Sequence, residues 1–385
     1  LLWFFLYSAT ALLAAIAYAI LIRLALQQWT AILPPDATLP PEPPFVSVLV
    51  PGRNEAAHLP ECLGALLQQD YPPDRYEILF IDDHSTDDSL AIARQLQGPQ
   101  LRILQLQQAP NAGETSQSYK KKALELGVRE ARGNLLLTTD ADCHAPQQWI
   151  RAMAAALLQH DWQAIAGPVL GWREKNFLQR FQSLDFAGMM LMTAAGLHSG
   201  RFTLGNGASL GFRRAAFEAV GGYAGNKQYA SGDDVFLLRK IAQRFPGQLG
   251  FLKDAAATVH TTMKPNWQSF LRQRLRWGTK NRRAASGGGA TAALGVAFLL
   301  SWLILLTPFL LPFLGTPALI LATVLLALKA AADYLLLEAA VRFFHRPELL
   351  RRFFPKELAH TLYIALAGLL SLLVRQHVWK GRRVR

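Results

Sequence analysis

Residues 1–22 carry no charged side chain, and residues 284–328 form a second uncharged run of 45. A helix of ~20 apolar residues spans the hydrocarbon core of a bilayer, because a helix satisfies every backbone polar group internally. The first run lacks a basic leader and a small-residue cleavage site, so it reads as a retained anchor over 1–26 rather than a signal peptide. Gly315, Thr316 and Pro317 break the second run into a helical hairpin, 291–313 and 318–340, entered through a hinge at Gly287, Gly288 and Gly289. A further uncharged stretch, 358–374, is just long enough to cross. The membrane region at the C-terminal end, 291–375, is thus expected to hold about three spans.

Charge placement narrows the partners. Lys and Arg number 40 against 27 Asp and Glu, a net +13, and residues 266–385 hold 17 of the former and 4 of the latter. Residues 1–265 are therefore balanced. A nucleic-acid binder would carry its basic face on the folded domain, so none is expected here. Lys and Arg collect on the cytoplasmic side of spans. Arg272, Arg274, Arg276, Lys280, Arg282 and Arg283 precede the hairpin; Arg342, Arg346, Arg351, Arg352 and Lys356 follow it. Both groups, and the large domain between them and the anchor, are expected in the cytoplasm of a multi-pass protein of the cell (inner) membrane. The tail 376–385, together with Arg375, would lie outside if 358–374 crosses, against the rule; crossing is still the preferred expectation. Inside the hairpin, Lys329 and Asp333 lie four apart on one helix face and Glu338 follows. A structural ion pair is expected there, with a polar lining for a lipid head group or sugar as the functional alternative. Cys62 and Cys143 have no zinc-ligand spacing and read as buried thiols.

The soluble part begins after a Pro-rich linker, 27–44, containing Pro34, Pro35, Pro40, Pro41, Pro43 and Pro44. Apolar, β-branched runs at 45–50, 76–81, 101–106 and 134–139 read as strands buried on both faces; 59–69, 89–97 and 123–131 read as helices between them. Such alternation predicts an α/β fold with a mostly parallel sheet, in which ligands bind beyond the carboxyl ends of the strands. Chemistry is therefore sought at Pro51, Arg53, Asn54 and Glu55 after the first strand and at Asp82 and Asp83 after the second. After the fourth come Asp140 and Asp142, whose two-residue spacing puts both carboxylates on one side of an extended segment, as a hard divalent cation requires.

These residues resemble, in order along 46–281, the inverting family-2 glycosyltransferases of the nucleotide-sugar-binding GT-A fold. The resemblance implies a GT-A catalytic domain over 45–265. Pro51, Arg53, Glu55, Asp82 and Asp83 would form the nucleoside pocket and Lys120 a lysine of the nucleotide site. Asp140-x-Asp142 matches the metal and diphosphate motif, with Mg2+ or Mn2+ as cofactor. Residues 207–214 resemble the acceptor loop, although Ser209 stands where many members carry Asn. Gly232-Asp233-Asp234 resembles the Asp motif whose second position is the catalytic base, so Asp234 takes that role beside Asp233. His260 is a loose match to a late metal-ligating histidine. Gln273-x-x-Arg276-Trp277 matches the family's Q-x-x-R-W signature, on an amphipathic segment, 266–290, whose apolar stripe of Trp267, Phe270, Leu271 and Leu275 is expected to lie on the membrane.

The implied reaction is displacement at the anomeric carbon of a nucleotide sugar, with UDP favoured, onto a lipid or glycan acceptor. The alternatives are a processive synthase of the cellulose or hyaluronan type and a non-catalytic nucleotide-sugar-binding membrane protein. A transporter is disfavoured by the few spans and the large soluble domain.

Overall fold

The computed structural model describes residues 2–36, 38–106, 118–225, 232–284, 289–373, 377–379 and 382–384. Two compact units emerge: a helical unit of Leu1–Ala31, Lys175–Phe202 and Lys264–Arg375, and an α/β unit of Ile32–Glu174, Thr203–Met263 and Gln376–Arg385. The helical unit thus takes a segment from within the expected catalytic stretch. The hinge residues Gly287 and Gly288, and Val374, Arg375, Lys380 and Arg385, lie outside the described residues.

In chain order, α1 (Leu2–Ala31) is followed by β1 (Val46–Gly52), α2 (Leu59–Leu67), β2 (Tyr76–Asp82), α3 (Ser89–Gln95), β3 (Leu101–Gln105) and α4 (Tyr119–Glu130). Next come β4 (Leu135–Thr138), β5 (Cys143–His144), α5 (Trp149–Gln159), β6 (Ala164–Ala166), β7 (Val169–Trp172) and α6 (Phe177–Ser199). Then follow β8 (Leu210–Arg213), α7 (Arg214–Ala219), α8 (Asp233–Arg244), β9 (Leu249–Phe251) and β10 (Val259–Thr262). Helices α9 (Trp267–Ala284), α10 (Gly289–Leu306), α11 (Leu311–Leu314), α12 (Thr316–Phe343) and α13 (Phe353–Leu373) complete the helical unit.

In the α/β unit the main sheet has the order β3-β2-β1-β4-β8-β6-β9. Strands β3, β2, β1 and β4 run parallel, and β8 enters antiparallel to both β4 and β6. The sheet is thus mixed. Every residue of β2 is buried, as its continuous apolar run requires of a strand covered on both faces. Gly127 lets α4 seat closely on the sheet: a Cβ there would stand 3.0 Å from Ile81 and 3.1 Å from Leu49. A second small sheet, β5-β10-β7, pairs Thr261 with Cys143 and His260 with His144.

In the helical unit, α1 buries Ala11, Ala14, Ala15, Tyr18, Ile22, Ala25 and Trp29, a stripe at steps of three and four, while Phe5, Leu13, Ile16 and Ile20 stay exposed. Small residues on the buried stripe let helix backbones approach, which is how apolar helices associate without a hydrophobic driving force. Three described helical segments are long and apolar enough to cross a membrane: Leu2–Ala31, Ala292–Leu314 and Thr316–Phe343. They support a multi-pass membrane protein. The expected fourth span is not among them, and α13 carries Lys356 and Glu357 buried in protein. The apolar stripe of α9 also departs from expectation. Phe270 is fully buried, 5.8 Å from the Phe181 ring and 5.3 Å from that of Tyr363. Phe270 thus faces protein with Leu271 packed beside it, Leu275 is half-buried, and Trp267 is 44 % exposed.

Candidate active site

The parallel strands deliver their polar residues to one edge of the sheet. Gly52 pairs with Asp82 at the last rung of β1 and β2, so the segments beginning at Pro51 and Asp82 leave side by side. The Asp82 carboxylate accepts the Ser85 N–H, 3.3 Å from each oxygen, and fixes the turn. Arg53 Nη1 donates to the Asp83 carbonyl at 3.0 Å, and His84 Nδ1 lies 3.0 Å from the Asp83 carboxylate. The Glu55 N–H donates to Ser89 Oγ at 2.8 Å, and that hydroxyl donates to Asp87 at 2.6 Å. Desolvation of the largely exposed Asp87 would raise its pKa; the hydrogen bonds from Ser89 and Ala56 together outweigh it and hold the carboxyl below the usual range. Asp82 and Asp83 are themselves buried. Part of the Asp82 carboxylate is thus committed to the turn.

The carboxylates of the central strand edge converge on one lysine. Lys120, in the first turn of α4, places Nζ 2.6 Å from Asp140 Oδ1 and 3.3 Å from Asp233 Oδ2. Burial, which would lower the lysine's pKa, is outweighed by Asp140 and Asp233, so the ammonium titrates well above the ordinary range. Asp234 follows Asp233 in the first turn of α8, where Val235 N–H donates to its Oδ1 at 2.7 Å and Gly207 N–H to its Oδ2 at 3.3 Å. Gly207 packs tightly at this spot: a Cβ would stand 3.1 Å from Asp233 Oδ2 and 3.3 Å from Lys120 Nζ, so either group would have to shift. Thr138 Oγ1 holds the Gly207 carbonyl at 2.9 Å, a support that no spacing in the sequence announces. Residues from four separate segments therefore meet at Lys120.

Asp140, Asp142 and Cys143 each offer a ligand atom within 4.8 Å of the others. The Asp140 side chain is 35 % exposed, whereas Cys143 is buried, and burial, with Asp142 and Asp140 beside it, pushes its thiol well above the usual pKa. What remains is a pair of accessible carboxylates, a hard oxygen set that fits Mg2+ or Mn2+. His260 is not in this group. Neighbours across a β pair point to the same face. Thr261 therefore lies with Cys143, while His260 lies with His144 on the other face of the small sheet, stacked 5.2 Å from the Trp172 ring. Ser209 likewise turns inward, accepting the Trp149 indole N–H at 3.0 Å. Arg213 binds the Trp162 carbonyl and Asp161, and Arg214 the Val128 carbonyl, so both brace the fold.

Gln273, Arg276 and Trp277 belong to the helical unit, half-buried on α9. The Trp277 ring lies 5.9 Å from Phe186 and 4.6 Å from the Arg274 guanidinium, which pairs with Asp185 at 2.6 Å. The same unit holds a second charged group. Lys329 Nζ sits 2.7 Å from Asp333 and 2.6 Å from Glu357, with His360 Nδ1 at 3.2 Å and Tyr18 donating to Asp333. Asp333, Glu357 and His360 also bring ligand atoms within 4.8 Å of one another, but the fully buried ammonium fills the space between the two carboxylates. The expected Lys329–Asp333 pair is present, and Glu357 and His360 complete it from α13. Glu338 instead pairs with Arg342.

The chain is 37 % identical over 109 residues to the glycosyltransferase AglE of Haloferax volcanii, covering 28 % of this chain and 33 % of that protein. It is 28 % identical over 201 residues to the β-monoglucosyldiacylglycerol synthase of Synechocystis sp., covering 51 % and 40 %. The matched part thus spans a third to two fifths of these relatives. A mannosyltransferase from Pyrobaculum calidifontis, solved with GDP-Man and Mn2+, superposes over 94 % of this chain and 99 % of its own, with a TM-score of 0.58 and 21 % identity. The α/β architecture accordingly resembles the GT-A glycosyltransferase fold. The family profile described as glycosyl transferase family 21 matches residues 7–385, nearly the whole length, and the chain belongs to that family.

Proposed function

We propose that the chain is a membrane-bound inverting glycosyltransferase, carrying a hexose from a nucleoside diphosphate sugar to a lipid or lipid-linked acceptor, with its α/β unit in the cytoplasm. The observation that carries the proposal is the convergence of Asp140, Asp233 and Lys120 beside Asp234 at the carboxyl edge of the sheet. The nucleoside would lie toward Arg53, Asp82 and Asp83. The diphosphate would lie toward Asp140 and Asp142, two strands away from Asp82, roughly 10 Å at the usual strand spacing.

Asp234 is assigned as the general base, taking the proton of the acceptor hydroxyl as its oxygen bonds to the anomeric carbon and the bond to the diphosphate breaks. Attack opposite the leaving group inverts the anomeric configuration. The Gly207 and Val235 N–H groups orient this carboxylate, and the α8 N-terminus favours negative charge there. Asp140 and Asp142 would hold Mg2+ or Mn2+, which when bound offsets charge on the leaving diphosphate. Pro51 and Glu55 shape the nucleoside edge. Gln273, Arg276 and Trp277 are assigned to acceptor handling, and His260, on the face of the small sheet away from Cys143, is assigned no metal. The lipid acceptor draws support from the apolar helices and from a relative whose name joins a glucosyl group to diacylglycerol.

The test is a thermal-shift screen of the detergent-solubilised chain against a panel of nucleotide sugars with Mn2+. Transfer from the stabilising donor into extracted lipids is then followed by mass spectrometry. A glycolipid carrying one or a few added hexoses supports the proposal. A ladder of long polymer would assign a processive synthase instead, and donor binding without turnover a binding protein.

A further inference from the structure

Among the described residues, the two clusters that could hold a metal share one feature, a lysine ammonium already in contact with a carboxylate. In the helical unit the lysine is sealed, fully buried between Asp333 and Glu357. At the sheet edge it is not. Lys120 retains 21 % exposure on a side chain with four rotatable bonds, and it touches Asp140 while reaching on to Asp233. An ion bound to Asp140 and Asp142 would need the same Asp140 carboxylate that Lys120 holds at 2.6 Å. An ammonium and a divalent cation on one carboxylate repel each other, so both do not occupy it at full strength.

We propose that Lys120 is a displaceable counter-ion. It neutralises Asp140 and Asp233 in the empty site, leaves Asp140 when the metal arrives, and is then taken up by the diphosphate of the donor. This rests on the metal and donor assignment made above. Gly207 keeps the lysine close to Asp233, since a side chain there would crowd both groups. Phosphate oxygens are strong acceptors for the released ammonium. Binding of metal and nucleotide is thereby coupled: each removes a cost that the other would otherwise meet, and the coupling is reciprocal.

The experiment is calorimetric titration of Mn2+ into the full-length chain in detergent, alone and with saturating UDP or GDP, for wild type, Lys120→Gln and Lys120→Arg. Without nucleotide, Lys120→Gln is expected to bind Mn2+ about tenfold more tightly than wild type, the effect of removing one neighbouring like charge. Lys120→Arg keeps the charge and should stay within about twofold of wild type. Nucleotide should tighten Mn2+ binding to wild type more than to Lys120→Gln. Equal or weaker Mn2+ affinity in Lys120→Gln, measured without nucleotide, overturns the proposal while leaving the metal site intact. Absence of Mn2+ binding in wild type overturns the metal assignment itself. If Lys120→Gln does not fold by thermal unfolding, Lys120→Met is titrated under the same terms.

Discussion

The protein builds two charge clusters from similar parts and uses them differently. At the sheet edge, Lys120 meets Asp140 and Asp233, with Asp142 and Asp234 alongside, and the Asp140 carboxylate stays accessible. Among the apolar helices, Lys329, Asp333, Glu357 and Tyr18 are buried together with the half-buried His360 at their edge, and the ammonium itself is sealed, with Lys329 and Glu357 at no more than 1 % exposure. Desolvation explains the contrast. A charge inside an apolar bundle persists only when each member is paired, and pairing uses up the valence that a ligand would need. The open cluster keeps valence in reserve because water solvates what its lysine does not. Residue type alone does not separate a site from a brace; completeness of pairing and access do.

The comparison breaks most readily at Asp234. Asp234→Asn should lower transfer by about 10²–10⁴-fold, the scale of general-base catalysis, while donor affinity measured by calorimetry stays near wild type. Transfer within a few-fold of wild type would move the base elsewhere. In the sealed cluster the expected loss is of stability. Lys329→Met leaves Asp333 and Glu357 buried without their cation and should cost about 3–5 kcal/mol, read as a lowered thermal midpoint in detergent, with transfer per folded molecule retained. A variant that melts like wild type and transfers nothing would make that cluster functional and erase the distinction.

Smaller changes sharpen the picture. Gly207→Ala inserts a methyl between Asp233 and Lys120 and should reduce transfer about tenfold with little change in melting, because small misplacements of reacting groups are costly. Unchanged kinetics would show that Lys120 and Asp233 are free to shift. The smallest effect is expected at Asp87, whose carboxyl is held below the usual range by Ser89 and Ala56. A depressed folded-state pKa stabilises above the ordinary Asp value, and the contribution disappears as pH falls through the folded value. The melting difference between wild type and Asp87→Ala should therefore be at most about 1 kcal/mol near neutrality and should close on acidification. A gap that widens in acid would contradict the hydrogen-bonding assignment.

Much of this was legible in the chain because local signals carried it. The strands expected at 45–50, 76–81, 101–106 and 134–139 match β1 to β4 within one or two residues, since a run of apolar residues needs no partner to be read. The acidic strand ends follow from them. What escaped depends on distant partners. The expected helix over 123–131 begins at Tyr119, because the polar run Lys120, Lys121, Lys122 masks a first turn whose Lys121 is buried. Strand β8 has four residues and runs against β4, and β5 has two, too few for a period to register. Helix α6 interleaves Gln179, Gln182 and Asp185 with its apolar residues, and all three side chains are buried, Gln182 against the Lys264 backbone and Asp185 against Arg274. The i,i+4 pair of Lys329 and Asp333 could be read from spacing; Glu357, His360 and Tyr18 could not, lying 28, 31 and 311 positions from Lys329.

The most direct test is to locate Mn2+ by anomalous diffraction in crystals of the full chain grown with Mn2+ and a nucleoside diphosphate. An anomalous peak is expected beside Asp140 and Asp142, with Lys120 turned toward the phosphates. A peak instead at Asp333, Glu357 and His360, with none at the sheet edge, would contradict it.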